Sequence, residues 1–130
     1  METVLLVEDE VALRTLVAEM LATLGYHVIE APSALEAVQA ARAFPSVDLL
    51  LTDVVTPGMG GVELVEAVLR QRPAVRVLFM TGYTDSIAVR QGIHHGGFLQ
   101  KPFSLGQLAQ RVREALSRDG QEASRPSPVS

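Results

Sequence analysis

Three short apolar runs constrain this chain more than anything else in it: Thr3–Val7, Val47–Thr52 and Val75–Met80. Each is nearly continuous in Val and Leu, as a strand buried on both faces of a parallel sheet requires. The segments between them carry a helical period instead. Val11, Leu13, Leu16, Val17, Met20, Leu21 and Leu24 recur at three- and four-residue steps, with Gly25 placed as the cap after the last turn. Ser33-Ala34-Leu35-Glu36 reads as a capping box opening a helix to about Phe44. A third helix over Val62–Arg72 is stopped by Pro73. Ser104-Leu105-Gly106-Gln107 is a second capping box, opening a last helix through Leu116.

Two weaker strands, Tyr26–Glu30 and Gly97–Gln100, bring the count to five β/α units. Right-handed crossovers turn such units into an α/β fold, a doubly wound five-stranded parallel sheet with helices on both faces. The stretch from Gly82 to Gly97 is the least regular. It has room for a short helix at Ser86–Gln91, while Gly92, His94, His95, Gly96 and Gly97 favour loop. One domain over residues 1–118 is expected. From 119 to 130 the composition turns to Ser, Pro, Gly and Glu, which reads as a disordered tail.

Composition removes several function classes. Cys is absent, which excludes a disulfide scaffold, a thiolate zinc site and a cysteine nucleophile. A formal net charge of −4 argues against a nucleic-acid footprint. No apolar run reaches membrane-span length and the start, Met1-Glu2-Thr3, has no basic signal region, so a cytoplasmic location without membrane contact is expected. His94-His95 reads as exposed loop, and Arg70, Arg72 and Arg76 as a solvated rim around Pro73.

In doubly wound sheets the active crevice lies outside the carboxyl ends of the strands. At those ends stand Glu8, Asp9 and Glu10, then Asp53, then Thr81 and Gly82, then Lys101 and Pro102. Each has an ordinary reading on its own: helix-terminus charge, turn residue, strand-end hydroxyl, solvated cation. Together they must coincide at one rim, and Lys101 is the only lysine in the chain. Three converging carboxylates repel and call for a cation, and an all-oxygen set beside a phosphate suits Mg²⁺. Under those conditions a carboxylate serves as nucleophile toward phosphorus. Lys101 and Thr81 can then neutralise and hydrogen-bond the phosphoryl oxygens, and Gly82 leaves room for the group. Asp53, alone on a central strand facing the pair, is the nucleophile in this account.

The motifs LLVEDE, LLLTDVVTPGMGG, VLFMTGYT and FLQKPF stand in an order and spacing that resemble the receiver domain of two-component response regulators, the flavodoxin-like fold of chemotaxis regulators. The likeness runs from about Thr3 to Leu116. It implies that Asp53 is the phosphoacceptor, Glu8 and Asp9 the acidic pair, Thr81 the switch hydroxyl and Lys101 the invariant lysine. It also implies Mg²⁺ held by Asp9 and Asp53 directly, by Glu8 through water, and by the backbone carbonyl of Val55. Pro102 matches a proline preceded by a cis bond. Phe98 matches an aromatic whose rotamer follows Thr81, although a plain core aromatic on a buried strand fits Phe98 equally. Glu8 stands where Asp is commoner, Thr56 where a large apolar residue is usual, and the Gly82–Gly97 stretch where a full fourth helix is common.

The pattern looks most like receivers associated with hybrid histidine kinases. It implies a phosphorylation-switched regulatory domain rather than an enzyme, phosphorylated by a sensor histidine kinase or a histidine phosphotransfer protein. With no kinase or output domain in the sequence, its output would be contact with a downstream protein or onward relay of the phosphoryl group. A haloacid-dehalogenase-like phosphatase shares the Asp, Thr, Lys and Mg²⁺, but would need a second Asp where Val55 stands. A degenerate receiver that binds without phosphorylation is a third reading, disfavoured because every needed group is present. By the same resemblance Val55 and Tyr83 border the path of the water that removes the phosphoryl group, which predicts slow self-dephosphorylation.

Overall fold

Val4, Leu5, Leu6 and Val7 are all fully buried, yet they serve two different cores. Alternation along the strand sends Leu5 and Val7 to one face of the sheet and Val4 and Leu6 to the other. A computed structural model describes residues 1–56, 59–82 and 97–117. In chain order its elements are β1 (Thr3–Val7), α1 (Val11–Thr23), β2 (His27–Ala31), α2 (Ala34–Ala43), β3 (Leu49–Asp53), β4 (Val55–Thr56), β5 (Met59–Gly60), α3 (Gly61–Gln71), β6 (Arg76–Thr81), β7 (Gly97–Gln100) and α4 (Leu105–Ser117).

Five of the strands form one parallel sheet in the order β2-β1-β3-β6-β7. That order changes direction between β1 and β3, the place where this kind of sheet opens a crevice. α2 and α3 cover one face through Ala34, Ala37, Ala41, Leu64, Val65 and Val68. α1 and α4 cover the other through Val17, Leu21, Leu108 and Val112. Burying each large aliphatic side chain contributes roughly 1.5–3 kcal/mol, so α1, α3 and α4 are each anchored by two or three such terms, while the buried residues of α2 are alanines alone. The doubly wound architecture expected from the apolar runs is the one found.

The helix ends follow their sequence signals. The Ser33 hydroxyl accepts from the Glu36 N–H at 3.2 Å. At α4 both halves of the box form: Gln107 N–H to Ser104 Oγ at 3.1 Å, and Ser104 N–H to Gln107 Oε1 at 2.8 Å. Gly25, just past α1, has φ of 98°, a left-handed backbone that favours glycine.

Three expectations need correction. β3 and β6 each end one residue later than their apolar runs, because Asp53 still pairs with Met80 and Thr81 with Gln100. A polar side chain at a strand end does not stop its backbone from joining the ladder. β2 likewise starts at His27, since the Tyr26 N–H turns back to Leu21 O at 3.1 Å. Finally, the three arginines near Pro73 are not one solvated rim. Arg72 is half-buried, its Nε donating to Ala41 O at 2.6 Å and its other nitrogen to Phe44 O, while Arg76 is half-buried on β6. Only Arg70 of the three is exposed. The expected helix at Ser86–Gln91, His94-His95, Tyr83 and the tail at 119–130 lie outside the described residues.

Candidate functional site

The carboxyl ends of β1, β3, β6 and β7 bring together Glu8, Asp53, Thr81 and Lys101. Glu8 follows β1 directly and remains attached to the sheet through its N–H, which donates to Ala31 O at 3.1 Å. Its side chain turns inward: Glu8 is 2% exposed. Asp9, the next residue, is exposed. Asp53 is 7% exposed and Thr81 2%. One carboxylate oxygen from each of Glu8, Asp9 and Asp53 lies within 4.8 Å of the others.

Lys101 reaches this group from β7. Its ammonium lies 2.7 Å from Asp53 Oδ1 and 3.5 Å from Glu8 Oε1. The Lys101 N–H donates to Thr81 O at 2.8 Å, extending the β6–β7 ladder by one rung, and the Lys101–Pro102 peptide bond is cis. That hydrogen bond holds the start of the lysine side chain beside the Thr81 backbone.

The charges are not balanced. Three carboxylates converge, the Lys101 ammonium reaches two of them, and Glu8 Oε1 is buried without a hydrogen-bond partner. Burial, followed by the adjoining Asp53 carboxylate, pushes the Glu8 carboxyl up to about 7, against the Glu10 N–H and Lys101 pulling it down. Burial alone would lower Lys101, but Asp53 and Glu8 outweigh it and hold the ammonium above its ordinary value. Buried negative charge short of a counterion, offered by oxygen atoms only, is the donor set of a hard divalent cation that keeps several waters.

Two further contacts, outside the expected site residues, shape the site. The Arg14 guanidinium, one turn into α1, donates to the Glu8 carbonyl at 2.9 Å and pairs with Glu30 at 3.3 Å. It ties the acidic turn to β2, and an arginine one turn after an acidic pair was the available clue. Behind Asp53, the Val54 N–H donates to Met80 O at 3.3 Å, and the Val54 carbonyl accepts from Gly61 N–H at 2.7 Å. The backbone then pairs Val55 with Gly60 and Thr56 with Met59. Phe98 is half-buried opposite Phe79 in the ladder, the rings stacked at 5.9 Å and 26°.

The sequence profile of the response regulator receiver domain matches residues 4–113. A sensor kinase, CckA of Brucella abortus (strain 2308), is 40% identical over 119 residues. Those residues are 89% of this chain and 13% of the kinase. The solved receiver domain of the hybrid histidine kinase CckA superposes with a TM-score of 0.73 at 33% identity, covering 88% of this chain and 98% of that one. The chemotaxis response regulator CheY4 of Vibrio cholerae gives 0.80 at 31% identity, covering 89% and 99%. No helix among the described residues is long and apolar enough to cross a membrane.

Proposed function

Because this chain belongs to the response regulator receiver domain family, we propose that it is a phosphorylation switch whose phosphoacceptor is Asp53. The observation that carries the reading is the Lys101 ammonium 2.7 Å from the carboxylate of a strand-end aspartate, with Glu8 and Asp9 beside it. A haloacid-dehalogenase-like reading draws no support from the family match, which spans most of the chain.

In this reading an Asp53 carboxylate oxygen attacks phosphorus in line. The new O–P bond forms as the P–N bond of a phosphohistidine breaks, and the electron pair leaves on the imidazole nitrogen. Lys101 offsets the charge on the phosphoryl oxygens, and the Thr81 hydroxyl donates to one of them. Asp9, Asp53, Glu8 and the Val55 carbonyl are the groups that would hold Mg²⁺, which neutralises phosphoryl charge when bound. Thr81 is then the residue through which the phosphoryl group is felt, and Phe98, two rungs away in the β6–β7 ladder, is the aromatic that follows it.

The donor would be a sensor histidine kinase or a histidine phosphotransfer protein, and the product a contact with a downstream protein. The experiment is exposure to acetyl phosphate and Mg²⁺ followed by intact-mass and peptide mass spectrometry. One phosphoryl group on Asp53, absent with EDTA and absent in Asp53→Asn, is expected. Undiminished label in Asp53→Asn overturns the assignment.

A further inference from the structure

We propose that Gly61, which touches none of the reacting atoms, is a positioning residue for Asp53. A β-carbon built on Gly61 would fall on the Val54 carbonyl oxygen, and would lie 2.9 Å from both the Asp53 carbonyl oxygen and the Val54 carbonyl carbon. Ordinary contact begins at 3.4 Å. All three obstructing atoms are backbone, so no side chain can swing aside. The backbone of Gly61 is not left-handed, so the requirement is for space and not for an unusual conformation. Gly60, its neighbour, is different: a β-carbon there meets only the flexible end of Glu63, at 3.7 Å.

Which side would yield follows from what holds each. α3 begins at Gly61 and is anchored by Leu64, Val65 and Val68, all fully buried. Its first turn is held by the Glu63 carboxylate, which accepts from Gly60 N–H at 3.1 Å. Against it lies the last residue of β3 and the start of a loop, attached to β6 at Val54 by a long 3.3 Å hydrogen bond. An added methyl group therefore displaces the Asp53–Val54 backbone, and with it the carboxylate held at 2.7 Å from Lys101. The absence of a side chain at Gly61 sets how closely the nucleophile's own backbone approaches α3. A displacement of roughly 1 Å at a reacting group can cost about a hundredfold in rate.

The inference rests on Asp53 being the phosphoacceptor, and the test separates the two. In the full chain, the rate of phosphorylation by acetyl phosphate and the Mg²⁺ affinity by calorimetry are compared for wild type, Gly61→Ala, Gly60→Ala and Val68→Ala. Gly61→Ala should fold, lose about a hundredfold in rate and bind Mg²⁺ about tenfold more weakly. Gly60→Ala should match wild type in both. Val68→Ala, which opens a cavity beneath α3, should melt lower but keep both, so that instability is not mistaken for displacement. Wild-type rate and affinity in Gly61→Ala overturn the proposal, as do equal losses in Gly60→Ala or Val68→Ala. Failure of Gly61→Ala to fold, even at low temperature in sucrose, also overturns it, because the loop and not the fold is said to yield. If the wild type takes no phosphoryl group on Asp53, the functional reading fails, and the Mg²⁺ comparison alone decides the displacement.

Discussion

The Lys101 ammonium and the Asp53 carboxylate meet at 2.7 Å although their strands are not neighbours: β6 lies between β3 and β7. The lysine side chain spans the width of β6 to reach a partner two strands away.

Removing that cation strands two carboxylates. Lys101→Met leaves Asp53 and Glu8 facing each other without their shared partner, and a buried charge that loses its counterion costs several kcal/mol. With Lys101 partly exposed, a loss of about 2 kcal/mol is expected for the metal-free protein at pH 8. Mg²⁺ should recover part of it. Urea unfolding with EDTA and with Mg²⁺ measures both.

Glu8 gives the pH dependence. Its folded carboxyl titrates at about 7 against 4.5 ordinarily, so between those values the folded state holds a proton that the unfolded state has lost. Stability of the metal-free protein therefore falls as pH rises from about 4.5 through 7, by up to about 3 kcal/mol from this group. Glu8→Gln, neutral at every pH, should be more stable than wild type at pH 8 in EDTA and should lose that advantage at pH 5. Melting curves at the two pH values check the sign, and an advantage that is the same at both contradicts it.

Arg72 holds the end of α2. Its guanidinium donates to Ala41 O and Phe44 O, carbonyls left without partners where the helix stops. Arg72→Ala should cost about 1–2 kcal/mol, while the exposed Arg70→Ala should change stability by less than about 0.5 kcal/mol. Denaturant midpoints of the two variants decide between a helix clasp and a solvated charge.

The lifetime of the phosphorylated state tests the roles that the resemblance implies for Val55 and Tyr83. If they border the approach of water, the pair Val55→Asn and Tyr83→Glu should speed decay about tenfold, equivalent to about 1.4 kcal/mol in the barrier. First-order decay after removal of acetyl phosphate is the readout. An unchanged rate removes both residues from that role.

Much of this could be read from residues alone, for identifiable reasons. Continuous runs such as Val4-Leu5-Leu6-Val7 announce burial on two faces, and the Ser104–Gln107 box closes as its spacing implies. The site was legible because strand ends converge, so Glu8, Asp53, Thr81 and Lys101 needed only the order of elements to be brought together. Arg14, Arg72 and Gly61 were not legible. Their roles depend on the partner each meets: Arg14 takes the Glu8 carbonyl six positions back and the Glu30 carboxylate sixteen ahead, and Arg72 takes the carbonyls of Ala41 and Phe44, thirty-one and twenty-eight positions back. Gly61 meets carbonyls only across a closed loop. Carbonyls are the same at every position, so no residue pattern marks them.

The short edge strand β7 gives the site an asymmetry. Asp53 ends β3, a strand that lies between β1 and β6, and Glu8 follows β1, which lies between β2 and β3. Lys101 follows a four-residue strand whose one hydrogen-bonded neighbour among the described residues is β6. The pocket is therefore built like a vice with one fixed jaw and one sprung jaw. A pull on the lysine strand is resisted by one described ladder and a pull on β3 or β1 by two, and only the end residue Asp53, paired with Met80 alone, is free of the second.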